Sequence, residues 1–261
     1  MKTNMTDAGH GGYDSGAPGL HGCLEKDIVL EISNKINTYL KTQDIKNINT
    51  RTTDVFVSLN ERSNKANNLG VNSFVSIHCN SSDNPKAHGL EIFCYKFKYR
   101  HLADCILQEL KNENLYTQLR EGGVKEGNLH VVRETNMPAC LVELGFITNE
   151  EDYNLIMNNK DRFAKAIAKG ICKFNNIPWK ETGGSSRDGF KNGDYSGRKA
   201  RVTADVLNVR YDRGTQYNVV GQVKNGDIVN LQYSLNGWIS IEGFKGNKGL
   251  GYVSSKFLEL I

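Results

Sequence analysis

Four polar residues in this sequence are of types that can hold a metal ion and move protons: His10, Glu25, His78 and Glu143. His10 lies in a glycine-rich stretch, residues 7–12, whose glycines allow the backbone to turn sharply and approach a bound ion. Glu25 opens an amphipathic segment, and His78 and Glu143 each end a short apolar run. Because α/β sheets place their sites at strand ends, we expect these side chains to be presented for chemistry.

Two histidines and one glutamate form a ligand set that zinc accepts, with a fourth position left to water. His10, Glu25 and His78 supply that set, and Glu143 is the predicted proton carrier from the activated water to the leaving amine. For any one of these residues alone, a structural role is the alternative. Their spacing in the sequence does not by itself define a zinc site. Glu91, also on a predicted strand, is an alternative proton carrier.

Helical periodicity alternates with short apolar runs over the first two thirds of the chain. Helices are predicted over Glu25–Leu40, Arg100–Asn114 and Asp161–Asn175, and capping-box patterns at residues 58–61 and 148–151 predict further helix starts at Ser58 and Thr148. Strands are predicted just before Asp7 and over Ile45–Thr50, Ser73–His78, Leu90–Tyr95 and Ala139–Glu143. This alternation predicts an α/β layered domain with a largely parallel mixed sheet flanked by helices.

The six cysteines are isolated in the sequence, without a Cys-x-x-Cys pair. Most have apolar neighbours, which predicts reduced thiols that pack as small hydrophobic groups. Cys79 follows His78 in a predicted strand, so alternation turns Cys79 towards the core and His78 and Asn80 towards the opposite face. Asn80 is therefore a candidate substrate contact beside the metal ligands.

The C-terminal part has a different composition. After residue 199, short β-prone runs are separated by Gly and Asn, with hairpin signals at residues 225–227 and 236–237, which predicts a small all-β barrel. Residues 180–199 are small, polar and almost free of aliphatic side chains, as is typical of a linker. The predicted organisation is a catalytic domain over 1–179, a linker over 180–199 and a β domain over 200–261.

Five segments within residues 1–175 resemble, in order, the motif series of the zinc-dependent N-acetylmuramoyl-L-alanine amidases of the amidase-3 type. The segments are residues 7–12, 19–27, 51–54, 74–80 and 141–149. The resemblance implies that His10, Glu25 and His78 bind Zn²⁺ and that Glu143 is the catalytic carboxylate. It also implies bacterial peptidoglycan as the substrate, cut at the amide between N-acetylmuramic acid and L-alanine.

Two further substrate contacts are predicted near this motif series. Lys125 ends residues 121–125, which resemble a family pattern but lack its arginine, so the departure concerns substrate grip and not the metal ligands. His21 lies in the glycine-rich segment before Glu25, and its alternative is a solvated loop residue. Ala8 stands where the family usually has proline.

Residues 200–261 resemble bacterial SH3-type cell-wall-binding modules, most specifically in the Leu-Asn-Val-Arg stretch at 207–210. Aromatic side chains of such a module could stack on wall sugars or peptide. The candidates are Tyr211, Tyr217, Tyr233, Trp238 and Tyr252. In so small a barrel the alternative for each is a core position, which is favoured for Trp238.

Net charge and hydropathy limit the binding partners and the cellular location that the sequence is compatible with. Residues 180–261 carry 12 Lys and Arg against 8 Asp and Glu, which accounts for the net charge of +4. This modest bias favours an anionic wall polymer over nucleic acid. No apolar run reaches membrane-spanning length and the N-terminal residues lack a signal-like apolar stretch. We therefore expect no membrane partner, a monomer by default, and a cytoplasmic location until release.

The predicted function is that of a peptidoglycan amidase with a wall-binding module, acting as a phage endolysin. Three alternatives remain open from the sequence. They are a bacterial autolysin with the same activity, a zinc peptidase acting on the stem peptide, and a catalytically inert wall-binding protein.

Overall fold

The structure, a computed structural model, describes residues 1–116, 119–180 and 190–261. It divides into two compact units, Met1–Lys180 and Glu181–Ile261. The strands of the first unit are β1 Lys2–Ala8, β2 Ile45–Asn49, β3 Ser73–Asn80, β4 Leu90–Cys94, β5 Leu119–Glu126 and β6 Ala139–Phe146. Its helices are α1 Glu25–Leu40, α2 Leu59–Leu69, α3 His101–Asn112, α4 His130–Arg133 and α5 Glu150–Phe174.

The six strands form one sheet in the order β2-β1-β3-β6-β4-β5. β2, β1, β3 and β6 run parallel to one another, whereas β4 is antiparallel to β6 and parallel to β5. Apolar residues of α1, α3 and α5 cover one face of the sheet, and α2 and α4 cover the other. The predicted fold class is confirmed, and the carboxyl ends of β1, β3 and β6 lie side by side.

The polar first strand is explained by a buried amide network. The Asn4 side chain is fully buried and donates from Nδ2 to Asn47 Oδ1 at 2.8 Å, while Ser73 Oγ donates to Asn4 Oδ1 at 2.7 Å. Thr6 Oγ1 donates to the same Asn47 oxygen at 2.9 Å. Because each buried polar group has a partner, the strand is stable without an apolar face on this side.

Two helix starts test the capping predictions. The Ser58 hydroxyl accepts from Glu61 N, and the Glu61 carboxylate accepts from Ser58 N, so the predicted capping box at α2 is confirmed. At α5 the cap is Asn149 instead of Thr148, and its side chain accepts from Asp152 N. The helix predicted from Asp161 agrees with a kink in α5: Asn159 has a non-helical φ of −128°, and a second helical segment follows it to Phe174.

The strand β5 was not predicted. It contains Gly122 and Gly123, both with positive φ, and its pairing with β4 shifts register between Leu90 and Ile92. This irregular strand lacks the alternation that marks the others. The cysteines follow expectation: all six are free thiols, and Cys79 is 3% exposed in the core.

The second unit is all β. Its strands are β7 Gly193–Asp194, β8 Lys199–Val202, β9 Val206–Arg210, β10 Val219–Lys224, β11 Ile228–Leu235, β12 Trp238–Ile241, β13 Gly251–Ser254 and β14 Leu258–Leu260. The order is β10-β9-β13-β12-β11-β8-β14, with β7 paired to β11. Asn236 and Gly237 have positive φ and join β11 to β12 as a hairpin, as predicted. Residues 225–227 join strands that do not pair, so that hairpin prediction is wrong.

The predicted linker, residues 180–199, lies partly outside the described residues, because 181–189 are not described. Residues 190–199 belong to the second unit. Phe190 is 6% exposed among the apolar residues of that unit, and β7 pairs with β11. None of the helices in the described part of the chain is long and apolar enough to cross a membrane.

Candidate active site

His10, Glu25 and His78 come together at the carboxyl end of the sheet. His10 follows β1, Glu25 is the first residue of α1, and His78 lies near the end of β3. Each offers one ligand atom within 4.8 Å of the other two, and this is the metal-ligand group found among the described residues. The Glu25 carboxylate lies between the rings, with Oε1 2.8 Å from His78 Nδ1 and Oε2 3.1 Å from His10 Nε2.

These contacts shift the titration of all three groups. Burial opposes ionisation of Glu25, but its hydrogen bonds with His10 and His78 hold its pKa far below the usual range. Burial likewise disfavours charge on His10, yet hydrogen bonds with Glu25 and Asp14 raise its pKa to about 8. The pKa of His78 is also raised, because Glu25 outweighs the effect of burial. A cation entering this group must therefore displace protons from the imidazoles.

Asp14 holds the second nitrogen of His10. His10 Nδ1 lies 3.0 Å from both carboxylate oxygens of Asp14, which leaves Nε2 directed at Glu25. Metal-binding histidines commonly donate their other N–H to a carboxylate, which fixes the ring and its tautomer. Sequence reasoning missed Asp14, although a carboxylate four residues after His10 in the same glycine-rich segment was a usable signal.

Two buried arginines fix the backbone that carries His10. Arg62 pairs with Asp7 at 2.6 Å and donates to the carbonyls of Ala8 and His10 at 2.6 and 2.7 Å. Arg51 donates to the carbonyl of Gly9 at 2.7 Å. The loop is thus held by charge-assisted hydrogen bonds, which are stronger than neutral ones.

Gly9 has a steric reason to be glycine. A Cβ at this position would lie 2.3 Å from His78 Cε1, closer than any real contact allows. The backbone after β1 therefore passes directly against the His78 ring, which places His10 next to His78.

Glu143 lies on β6 directly opposite His78 of β3 in the parallel register. Its Oε2 atom is buried and has no hydrogen-bond partner among the described residues. Burial is the main cause that raises the pKa of this carboxyl from its ordinary value of 4.5 to about 7. A carboxyl with this pKa can both accept and donate a proton near neutral pH.

Glu91 of β4 lies opposite Glu143 on the side of β6 away from β3. Its carboxylate, however, already accepts hydrogen bonds from other side chains. Asn80 Nδ2 donates to Glu91 Oε1 at 2.6 Å, and Lys125 Nζ donates to Oε2 at 2.5 Å. Arg120 Nε lies 3.6 Å from the same carboxylate and so supplies an arginine near the position where the family pattern has one. The geometry favours Glu143 over Glu91 as the proton carrier.

A cavity of about 920 Å³ opens beside these residues. Besides the four predicted chemical residues its lining includes polar side chains, among them Asp14, Arg62 and Asn80, and apolar side chains from two segments, Phe56–Leu59 and Leu129–Val131. His130 also lines it, with Nε2 3.3 Å from Ser63 Oγ. Sequence reasoning did not place His130 at the site, because nothing in the local pattern of β5 and α4 indicates that this segment faces it.

The other predicted contacts lie in different surroundings. Lys125 and His21 are outside the residues that line the cavity. Lys125 bonds to Glu91 and Glu121, and His21 is exposed, with Nε2 3.5 Å from Glu150 Oε1. The predictions of substrate contact for Asn80, Lys125 and His21 remain predictions.

The candidate aromatic residues of the second unit differ in how far their side chains are exposed to solvent. Tyr211, Tyr217 and Tyr233 are 47%, 38% and 46% exposed, whereas Trp238 is half-buried. Tyr252 is 2% exposed and its hydroxyl donates to the Asn247 carbonyl at 3.2 Å. The core alternative therefore describes Tyr252, because a ring enclosed by the barrel has no free face for a wall ligand.

The fold and the site together define an α/β domain with a candidate metal-hydrolase centre at its strand ends. Residues 5–173 match the N-acetylmuramoyl-L-alanine amidase family, and residues 205–259 match the bacterial SH3 domain. The chain therefore belongs to the N-acetylmuramoyl-L-alanine amidase family and carries a bacterial SH3 domain. The predicted family and enzyme class are confirmed.

Individual relatives agree with this assignment. The chain is 36% identical over 177 residues to the N-acetylmuramoyl-L-alanine amidase LytC of Bacillus subtilis, a match that covers 66% of this chain and 35% of LytC. It is 36% identical over 190 residues to the endolysin of Bacillus phage SPP1, covering 69% and 68% of the two chains. The catalytic domain of the amidase CwlV from Bacillus (Paenibacillus) polymyxa var. colistinus superposes with a TM-score of 0.64, 33% identity, and coverage of 68% and 99%.

Proposed function

We propose that this protein hydrolyses the peptidoglycan amide between N-acetylmuramic acid and L-alanine, with Zn²⁺ held by His10, Glu25 and His78. The observation that carries the proposal is the His, Glu, His group beside a buried carboxylate, Glu143, with a free oxygen. The family membership of residues 5–173 supplies the substrate class.

The donor set fits zinc. Two imidazole nitrogens and one carboxylate oxygen are ligands that zinc prefers, and a three-residue set is typical of catalytic sites. Asp14 supports the fit, because it holds the far nitrogen of His10 and directs the near one inward. A zinc ion, when bound, supplies Lewis acidity that activates water and polarises the carbonyl under attack.

Glu143 moves the proton. Its unpartnered Oε2 is free to accept a proton from the attacking water and to return that proton to the leaving amine nitrogen. Glu91 is bonded to Asn80 and Lys125, which leaves Glu143 as the carboxylate with a free oxygen. The proton therefore has one carrier, and it lies on the strand next to His78.

The SH3 domain is proposed to hold the enzyme on the wall. Tyr211, Tyr217 and Tyr233 offer exposed rings, and residues 180–261 carry the surplus of basic side chains that favours an anionic wall polymer. An endolysin role, with synthesis in the host cytoplasm and later release to the wall, is proposed from the likeness to the SPP1 endolysin.

The test is digestion of purified bacterial wall by the full chain. New amino termini without new reducing sugars are expected, because an amide is cut and the glycan is not. Glu143→Gln should lower the rate by about 10²- to 10⁴-fold, and chelation should abolish it until zinc is returned. Glu151→Gln, an exposed position of α5, is the matched control. Release of reducing ends, or full activity in Glu143→Gln, would overturn the proposal.

A further inference from the structure

An exposed aromatic pair borders the candidate active site. The rings of Tyr13 and Phe56 are stacked, with centroids 4.2 Å apart and planes inclined by 24°. Tyr13 is 83% exposed and Phe56 39% exposed, and Phe56 lines the cavity. Tyr13 lies three residues after His10, a length of chain that spans at most about 11 Å. The pair therefore stands beside the metal-ligand group.

The pair is held by a polar frame that does not depend on the rings. Gly12 N donates to Asp54 Oδ1 at 2.8 Å, and Lys26 Nζ donates to Gly12 O at 2.9 Å and to Asp54 Oδ2 at 2.7 Å. Gly12 has φ +60°, and a Cβ there would lie 2.7 Å from Phe56 N. The loop that carries Tyr13 is thus seated directly on the loop that carries Phe56.

This frame also sets the chemistry of the surface. Lys26 and Asp54 neutralise each other, so the charges that hold the loops together do not select for a charged ligand. Phe56 uses one face against Tyr13, and the high exposure of Tyr13 leaves its ring and hydroxyl open. A flat aromatic face with a hydroxyl at its edge suits a neutral pyranose ring, which presents C–H groups on its face and hydroxyls at its rim.

We propose that Tyr13 and Phe56 form a saccharide-stacking subsite that binds a sugar ring of the glycan strand next to the amide to be cut. This inference rests on the proposed function. Continuity between the pair and the cavity supports it, since a substrate whose amide lies at the metal-ligand group carries its sugar directly beside that amide. The pair would then recognise the glycan, separately from any group that contacts the stem peptide.

The test compares two soluble substrates that share one amide. The first is a disaccharide-peptide, and the second is the same peptide carrying only the lactyl group. The ratio of their kcat/KM values isolates the contribution of the sugars. Tyr13→Ala should lower this ratio about 3- to 10-fold, as expected for the loss of one aromatic stacking partner, and Tyr13→Phe should retain most of it. Tyr99→Ala, at a tyrosine 47% exposed elsewhere in the same unit, is the control.

Binding gives a second readout. Transfer of magnetisation from the protein to a soluble N-acetylglucosamine tetramer should weaken in Tyr13→Ala and stay unchanged in Tyr99→Ala. An unchanged ratio in Tyr13→Ala overturns the subsite, and an equal loss on both substrates overturns it in favour of a contact to peptide or lactyl group. Failure of the unmutated protein to cleave either substrate would instead refute the proposed function.

Discussion

Glu143, a half-buried residue whose Oε2 atom is buried, should make the metal-free protein less stable as the pH rises. Burial raises its pKa from 4.5 to about 7, so the folded protein retains a proton that the unfolded chain has already lost. Between these two values the folded state loses stability with increasing pH, because ionisation is easier in the unfolded chain. Glu143→Gln cannot ionise, and it should abolish this part of the pH dependence.

The size of the effect follows from the shift. With one pKa unit equivalent to about 1.4 kcal/mol, the full penalty on the folded state above pH 7 is about 3 kcal/mol. Part of it is already present at about pH 5, so the gain from Glu143→Gln should grow by about 2 to 3 kcal/mol between about pH 5 and pH 8.5. Any constant cost of the buried amide cancels in this difference.

The assay is denaturant unfolding of the full chain in the presence of a chelator. The two tryptophans, Trp179 and Trp238, lie in different units, so a Trp238→Phe background leaves Trp179 as the reporter on the unit that contains Glu143. Glu151→Gln in the same background controls for the loss of one exposed carboxylate. If Glu143→Gln raises the free energy of unfolding by the same amount at both pH values, the surroundings of Glu143 do not oppose its ionisation and the reasoning is refuted.

Three further outcomes are expected. Arg62→Met should destabilise the amidase unit by about 3–5 kcal/mol in denaturant unfolding, because it leaves the buried Asp7 carboxylate unpaired, and adding Asp7→Asn should recover part of that loss. Zinc binding, measured by calorimetry in two buffers, should release protons at pH 7, because the pKa of His10 is about 8. The number of protons released from His10 should fall as the pH rises above 8. A number of released protons that does not change with pH would contradict this. Asp14→Asn should weaken zinc affinity about 10- to 100-fold in competition with a chelator, and unchanged affinity would deny Asp14 an orienting role.

Much of the fold follows from local patterns in the sequence. The helix Glu25–Leu40 was predicted with the bounds found, because its apolar residues recur at helical spacing along a single face. Strand alternation in β3 correctly separated Cys79 from His78. These features depend on neighbouring residues only, so one sequence suffices to predict them.

Features that depend on packing were not predictable in this way. The strand β5 is irregular at Gly122 and Gly123 and is held by its pairing with β4. The first helical segment of α5 meets the predicted second one at the kink at Asn159, and residues on both sides of the kink pack in one core. The hairpin signal at residues 225–227 fails because the turn bonds to Val202 of β8.

The site shows the same division. The four chemical residues could be proposed from their types and flanking segments, since His10 lies in a glycine-rich stretch, Glu25 opens a helical pattern, and His78 and Glu143 each end an apolar run of the sequence. The walls of the cavity could not, because Phe56 and His130 belong to segments that meet only in the folded protein. The Glu91 carboxylate is likewise paired with Lys125 of the adjacent strand, and one sequence does not reveal that contact.

The proposed role of the His, Glu, His group and Glu143 is cleavage of the muramoyl-alanine amide. Its most direct test is mass spectrometry of the fragments released from purified wall by the zinc-loaded full chain. We predict stem peptides that begin with a free L-alanine and glycan strands that retain intact lactyl groups. Fragments cut within the stem peptide, with alanine still joined to the sugar, would contradict the account.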